Sequence, residues 1–265
     1  MDVIEPTIRA EIMRRLRAAE AEHAVKILYA CESGSRAWGF ASPDSDYDVR
    51  FIYVHDREWY LGFDVERRRD VIEYPIVDEL DCNGWDLRKA AYLFTRTNGA
   101  LFEWLHSPIR YIEEGPMAED LRRLAPMAFH DVALCYHYAA MARNNAREYL
   151  EQVEVRLKKY FYVLRPLLAI RWIQNGRGIP PVEFERLLDV ECSPDLRGEI
   201  DELLKLKRET PELGKGPRRP AINAFIEAEF DRHGDRFSGQ GRPDIHDSQA
   251  TRDALNRIFR RALDA

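Results

Sequence analysis

Ile8, Ile12 and Leu16 fall on one face of residues 6–22, a spacing that predicts an amphipathic helix. The pattern then changes. "AVKILYACE" (24–32) is a short apolar run that stops at a Gly-Ser turn, and "YDVRFIYV" (47–54) is rich in β-branched and aromatic residues. Both read as strands. "DVIEYPIV" (70–77) and "ELDCNG" (79–84) predict two more, the first pushed towards a sheet edge by Pro75, which has no N–H to give a ladder. Asp86 is placed to cap a helix, "LRKAAYLFTR", with Asn98-Gly99 ending it. The first hundred or so residues therefore read as a small α/β unit.

Beyond Pro108 the pattern is different. Prolines 108, 116 and 126 punctuate a connector, and residues 130–176 then form two long helical stretches broken by only one proline, Pro166. These read as paired helices of a bundle. "NGRGIPP" (175–181) ends them, short helices follow, and "FSGQGRPD" (237–244) reads as a flexible link to a last helix capped by Asp247 or Ser248. The expected architecture is α+β, with an N-terminal domain over residues 1–110 and an all-α domain over 111–265.

Composition narrows the class. Of 265 residues, 45% are hydrophobic and 32% charged, the profile of a soluble globular protein, and the net charge of −6 excludes a surface that coats nucleic acid throughout. A local basic groove remains compatible with it. The four cysteines form no C-x-x-C pair, so neither a zinc site nor a disulfide framework is indicated. "MDVIEPTIRAEIMRRL" has no apolar segment of the signal-peptide kind, and the most apolar run, "YFYVLRPLLAIRWI", is interrupted by two arginines and too short to span a bilayer. A cytoplasmic protein without a membrane partner is expected.

The chemistry is concentrated in "GSRAWGFASPDSDYDVRFIY", Gly34 to Tyr53. Strand alternation would put Asp46 and Asp48 on one face, with Cα atoms roughly 6.5 Å apart. Paired carboxylates repel unless a cation lies between them. Hard oxygen ligands of this kind suit Mg²⁺ or Mn²⁺, which keep waters and accept substrate phosphates. Gly34 and Ser35 stand where a glycine lets a phosphate approach the backbone, and amides of the following turn favour its charge. An Asp-x-Asp alone is more often a solvated turn. Gly-Ser, Ser-Asp-x-Asp and an apolar strand together make a sharper pattern.

That stretch resembles the signature of the DNA polymerase β-type nucleotidyltransferase superfamily. "LDCNGWDLRKA", "LFEWLHSPIRY" and "VRLKKYFYVLRPLLAIRWI" extend the resemblance to a bacterial and phage subfamily linked with RNA repair, over roughly residues 25–180. The resemblance implies a palm-like mixed sheet followed by a helical substrate domain, and catalytic metals held by Asp46, Asp48 and a third carboxylate on a neighbouring strand. Asp81, between Leu80 and Cys82, matches that third position; Asp86 is the rival, better explained as a helix cap. The implied reaction is transfer of a nucleoside monophosphate from an NTP to a hydroxyl acceptor, an RNA end for preference. Small members of the superfamily that act as antitoxins on a protein partner, and aminoglycoside-type enzymes, are the alternatives. Acceptor, preferred base and oligomeric state stay open.

Around this core, Arg36 is within reach of a phosphate or is a surface arginine, and Arg50, two residues beyond Asp48, either touches the triphosphate or pairs with Asp81. Ser45 reads as a turn cap and Trp38 as packing. Lys158, Tyr162 and Arg165 share one helical stripe with Lys159 beside it; Lys159, Tyr162 and Arg165 are candidate nucleotide contacts through stacking and charge. His130 and His137 read as structural, and Arg67–Arg69 as a solvated turn.

Overall fold

The computed structural model describes residues 4–150, 154–209, 214–233, 237 and 248–264. In chain order the elements are α1 (Pro6–His23), β1 (Lys26–Glu32), α2 (Gly34–Ala37), β2 (Tyr47–Val54), α3 (Arg57–Tyr60), β3 (Val71–Glu73), β4 (Leu80–Asp86), α4 (Leu87–Thr95), α5 (Gly99–Leu105), β5 (Arg110–Glu113) and α6 (Met117–Ala128). They continue as α7 (Asp131–Tyr149), β6 (Glu154–Arg156), α8 (Lys158–Gln174), α9 (Phe184–Glu191), α10 (Pro194–Glu209), β7 (Lys215–Pro217), α11 (Pro220–His233) and α12 (Gln249–Leu263). The fold is α+β. It divides into two compact units: one from residues 1–37, 46–128 and 246–265, the other from 38–45 and 129–245.

The first unit is built on a five-stranded mixed sheet in the order β3-β4-β2-β1-β5. β2 runs parallel to β4 and every other pairing is antiparallel. Ile12 and Leu16, the apolar stripe of α1, join Ile27, Val49, Phe51, Leu80 and Cys82 in one buried cluster. In the same unit Trp85 stacks on Trp104 at 3.8 Å, and the buried Tyr29 hydroxyl donates to the Trp104 carbonyl. α12 closes the unit against α4 and α6: Phe259 packs on Tyr60 at 5.1 Å, and Arg261 pairs with Asp120.

The second unit is a helical assembly in which α7 and α8 lie along each other, with Leu134, Tyr138, Phe161, Leu164 and Leu168 in its core. The loop Trp38–Ser45 belongs to this unit. Phe40 is buried there, 4.9 Å from Phe161 and 5.3 Å from Phe184, and the Lys207 ammonium hydrogen-bonds the Ser42 hydroxyl.

Several expectations change. Asn98 does not end a helix; its side chain accepts from the Leu101 N–H and starts α5. Both roles suit Asn, and the apolar run after it decides. The connector after Pro108 is β5 and α6, with Pro126 inside the helix. β5 pairs with β1, so the compact division falls after Ala128 and not near residue 110. The helices of residues 130–176 are separated by β6, which pairs with β7. The edge strand shrinks to Val71–Glu73. Ser248 caps the last helix, as its hydroxyl accepts from the Thr251 N–H, but that helix joins the first unit. Apart from Phe237, the link at 237–244 lies outside the described residues. Among the described residues no helix is long and apolar enough to cross a membrane.

Candidate active site

β1 ends in a buried acid, Glu32, and the chain turns at Ser33, whose N–H donates to the Asp48 carbonyl at 2.8 Å. Gly34 then adopts φ +57°, a left-handed conformation in which side chains are strained. Glycine is required there for a second reason. A Cβ on Gly34 would lie 2.0 Å from Asp48 Oδ2 and 2.8 Å from its Cγ, so the Asp48 carboxylate rests directly over the bare α-carbon. Ser35 and Arg36 follow in α2, both largely buried. Arg36 is no surface arginine: its guanidinium stacks 3.7 Å above the Tyr47 ring, and Nε donates to the Asp46 carbonyl at 3.3 Å.

The chain re-enters this unit at Asp46, one residue before β2 begins. β2 and β4 are parallel, in a register that sets Asp48 beside Asp81 and Arg50 beside Asn83. The carboxylates do not face each other empty-handed. Arg50 Nη2 donates to Asp48 Oδ1 at 2.9 Å and to Asp81 Oδ2 at 2.7 Å, while Nη1 donates to the carbonyls of Asp81 (2.7 Å) and Val49 (3.1 Å). Asn83 donates to the other Asp81 oxygen at 2.6 Å. Burial pushes the Asp48 carboxyl above the usual range; Arg50 pulls it back, and the charges of Asp81 and Asp46 raise it again. Asp46 thus acts electrostatically on Asp48 although its own position is outside the strand.

The rival acid has another task. Asp86 is fully buried, accepts from the Arg88 N–H at 2.7 Å as the cap of α4, and accepts from the Tyr60 hydroxyl at 2.7 Å. In the parallel register it stands beside Tyr53, five residues along β2 from Asp48. The structure gathers Asp48 and Asp81, and leaves Asp86 at the far end of the strand.

Glu32 was not singled out by sequence. Its Oε1 accepts from the Asp48 N–H at 2.9 Å and its Oε2 from the Tyr111 hydroxyl at 2.5 Å, so it fixes the backbone that carries Asp48. The only signal was an acid ending an apolar run. Burial raises its carboxyl from the ordinary 4.5 to about 7. An unfolded chain releases this proton near 4.5 and the folded chain keeps it to about 7. The stability it contributes is therefore complete below pH 4.5 and lost as pH rises through 7, by about 3 kcal/mol at most. Glu32→Gln, which keeps the acceptor for Asp48, should remove that fall. Chemical denaturation in EDTA at pH 4 and pH 8 checks it: the variant should exceed wild type by more at pH 8 than at pH 4, and equal losses in both proteins would contradict the assignment.

Two carboxylate oxygens from adjacent strands converge on one cationic nitrogen. This donor set, hard oxygens beside a glycine turn, fits a small divalent cation. As the side chains stand, no three His, Cys, Asp or Glu residues among those described are gathered to hold an ion.

Lys159, Tyr162 and Arg165 lie in the second unit, where Tyr162 and Arg165 meet Trp38 and Lys159 meets Tyr162. Lys159 Nζ is 4.8 Å from the Tyr162 ring centroid, Tyr162 meets Trp38 edge-on at 5.7 Å, and the Arg165 guanidinium lies 4.7 Å from the Trp38 ring. Arg165 is 1% exposed and donates to the Val182 carbonyl, so it packs Trp38 in place and does not face solvent. Burial lowers the Lys159 ammonium.

The family model described as "RNA repair pathway DNA polymerase beta family" matches residues 8–261. A protein of Bacillus subtilis (strain 168) named "Uncharacterized protein YcgL" is 50% identical over 226 residues, covering 85% of this chain and 86% of that protein. A crystal structure described as a nucleotidyltransferase-like protein from Exiguobacterium sibiricum 255-15 shares 13% identity over 94% of this chain and 88% of that one, with a TM-score of 0.37.

Proposed function

Since the chain belongs to the RNA repair pathway DNA polymerase beta family, we propose that it is a Mg²⁺- or Mn²⁺-dependent nucleotidyltransferase that moves a nucleoside monophosphate from an NTP to the hydroxyl of an RNA end, with pyrophosphate leaving. The observation that carries this reading is the convergence of Asp48 and Asp81, on parallel neighbouring strands, upon a single cationic nitrogen beside the Gly34–Ser35 turn.

Asp46, Asp48 and Asp81 are the residues to hold the cation. When bound, it would neutralise triphosphate charge and align the acceptor hydroxyl with the α-phosphorus. The chain's own residues do the rest. Gly34 leaves the room that the Asp48 carboxylate takes over its bare α-carbon, and Ser35 offers a hydroxyl to a phosphate oxygen. Arg36, held by the Tyr47 ring and the Asp46 carbonyl, positions the entry to β2. Asn83 orients the Asp81 carboxylate. In the second unit, Lys159 and Tyr162 are the proposed nucleotide contacts, with Arg165 acting through Trp38.

A ligand that binds only the folded state stabilises it. With Mg²⁺ and an NTP at a hundredfold excess over Kd the gain is about 2.7 kcal/mol, a rise in melting temperature of roughly 5 °C. The rise should require metal and be absent in Asp48→Asn. No shift with any of the four NTPs at millimolar concentration with metal would count against the reading.

A further inference from the structure

Arg50 is unusual in what it touches. It grows from the same strand as Asp48, two residues on, and its guanidinium does not point to solvent or to a single partner. One nitrogen is shared between the carboxylates of Asp48 and Asp81, and a second is held by the carbonyls of Asp81 and Val49. Four oxygens on two strands thus surround one cation. The side chain of Arg50 is 16% exposed, against 27% for Asp48 and 20% for Asp81. Half-buried carboxylates set side by side repel, and a counter-ion in the same environment removes that cost. The oxygens engaged are Asp48 Oδ1 and Asp81 Oδ2, one from each strand. A divalent cation seated between these two oxygens would take the space that the guanidinium nitrogen fills.

We propose that Arg50 is a built-in placeholder for the catalytic cation: its guanidinium fills the Asp48–Asp81 position in the resting protein and is displaced when a divalent metal enters. The inference rests on the metal-site reading above and adds a regulator to it. Its consequence is a threshold. Metal binding must break two charged contacts before it makes its own, so metal alone binds weakly, and the resting protein keeps its acid pair neutralised and ordered. The structural alternative is a permanent salt bridge that tethers β4 to β2 and leaves no place for a metal.

Removing Arg50 has opposite effects in the two cases. Mn²⁺ binding measured by electron paramagnetic resonance, at fixed ionic strength and without nucleotide, reads the difference without any turnover. In Arg50→Met the Mn²⁺ Kd should fall by roughly tenfold or more, because nothing is displaced. The metal-free variant should melt below wild type and recover on adding Mn²⁺. Arg50→Gln, which retains a donor for the Asp81 and Val49 carbonyls, should bind Mn²⁺ more tightly than wild type as well, and stands in if Arg50→Met does not fold. Arg110→Met removes a like charge from β5, so it measures the general effect of net charge and should leave the Kd within about twofold. Asp48→Asn in the Arg50→Met background should abolish the binding. If wild type binds Mn²⁺ in an Asp48-dependent way, and Arg50→Met and Arg50→Gln bind it equally or less well, the placeholder is wrong and the metal site stands. An equal gain in Arg110→Met also overturns the placeholder. If no protein in the series binds Mn²⁺ through Asp48, both the placeholder and the metal-site reading fall.

Discussion

Asp48→Asn should lower nucleotide transfer by on the order of a thousandfold, about 4 kcal/mol of transition-state stabilisation, and leave the melting temperature nearly unchanged. Asp46→Asn should do the same. Each substitution removes a negative charge and keeps size. For Asp48 the structure says why folding should not suffer. Its burial outweighs the pull of Arg50 on its carboxyl, so the charge is on balance a burden to the fold. After the change Arg50 keeps its bonds to the Asp81 carboxylate and carbonyl and to the Val49 carbonyl. The stability change is expected within about 1 kcal/mol. Aspartates whose only task was to pair with Arg50 would behave in the opposite way: the variants would melt early and retain activity in proportion to folded protein. Melting temperature and turnover measured on the same samples separate the two.

Gly34→Ala should be nearly as damaging, by a different route. A methyl group at this position would lie 2.0 Å from Asp48 Oδ2, a separation that real atoms do not adopt, so the carboxylate must move away from Arg50 and Asp81. The backbone adds its own cost, about 1–2 kcal/mol for a left-handed residue with a side chain. Transfer should fall by roughly a hundredfold or more, given that ångström-scale misplacement costs about that much. Gly115→Ala provides the comparison, as Gly115 has φ +66° and nothing within 4 Å of its would-be Cβ. It should share the stability loss and keep the activity. If both variants lose activity only in step with unfolding, the contact between Gly34 and Asp48 does not matter for function.

The carboxylates were legible in sequence because they obey a local rule: an acid pair at the mouth of an apolar strand is costly unless used. The task of Asp86 as the cap of α4 was legible too, and it performs it. Arg50 was read as a partner of Asp81, which it is, but that it joins Asp48 to Asp81 was not visible. Parallel register between β2 and β4 is a long-range property, and only register brings both acids within reach of Arg50. Gly34 was read as room for a phosphate, while its nearest neighbour in the fold is a side chain fourteen residues on.

The same limit explains the wider differences. β6 and β7 are three residues each and become strands only by finding one another across some sixty residues. α12 shows a good cap and an amphipathic face, but nothing local says which unit that face will cover. Phe40 is core, because the loop Trp38–Ser45 takes its partners from α8 and α9, and nothing local in the sequence names those partners.

Label transfer tests the central claim most directly. The purified protein is incubated with Mg²⁺, each α-³²P-labelled NTP in turn and total RNA, alongside Asp48→Asn of equal melting temperature. The expected result is label on RNA with at least one NTP, released by nuclease, dependent on metal and lost in the variant. Label on protein or on a small molecule would keep the chemistry and replace the acceptor. Label that persists undiminished in Asp48→Asn, or no label with any NTP, would contradict the assignment of nucleotide transfer to this site.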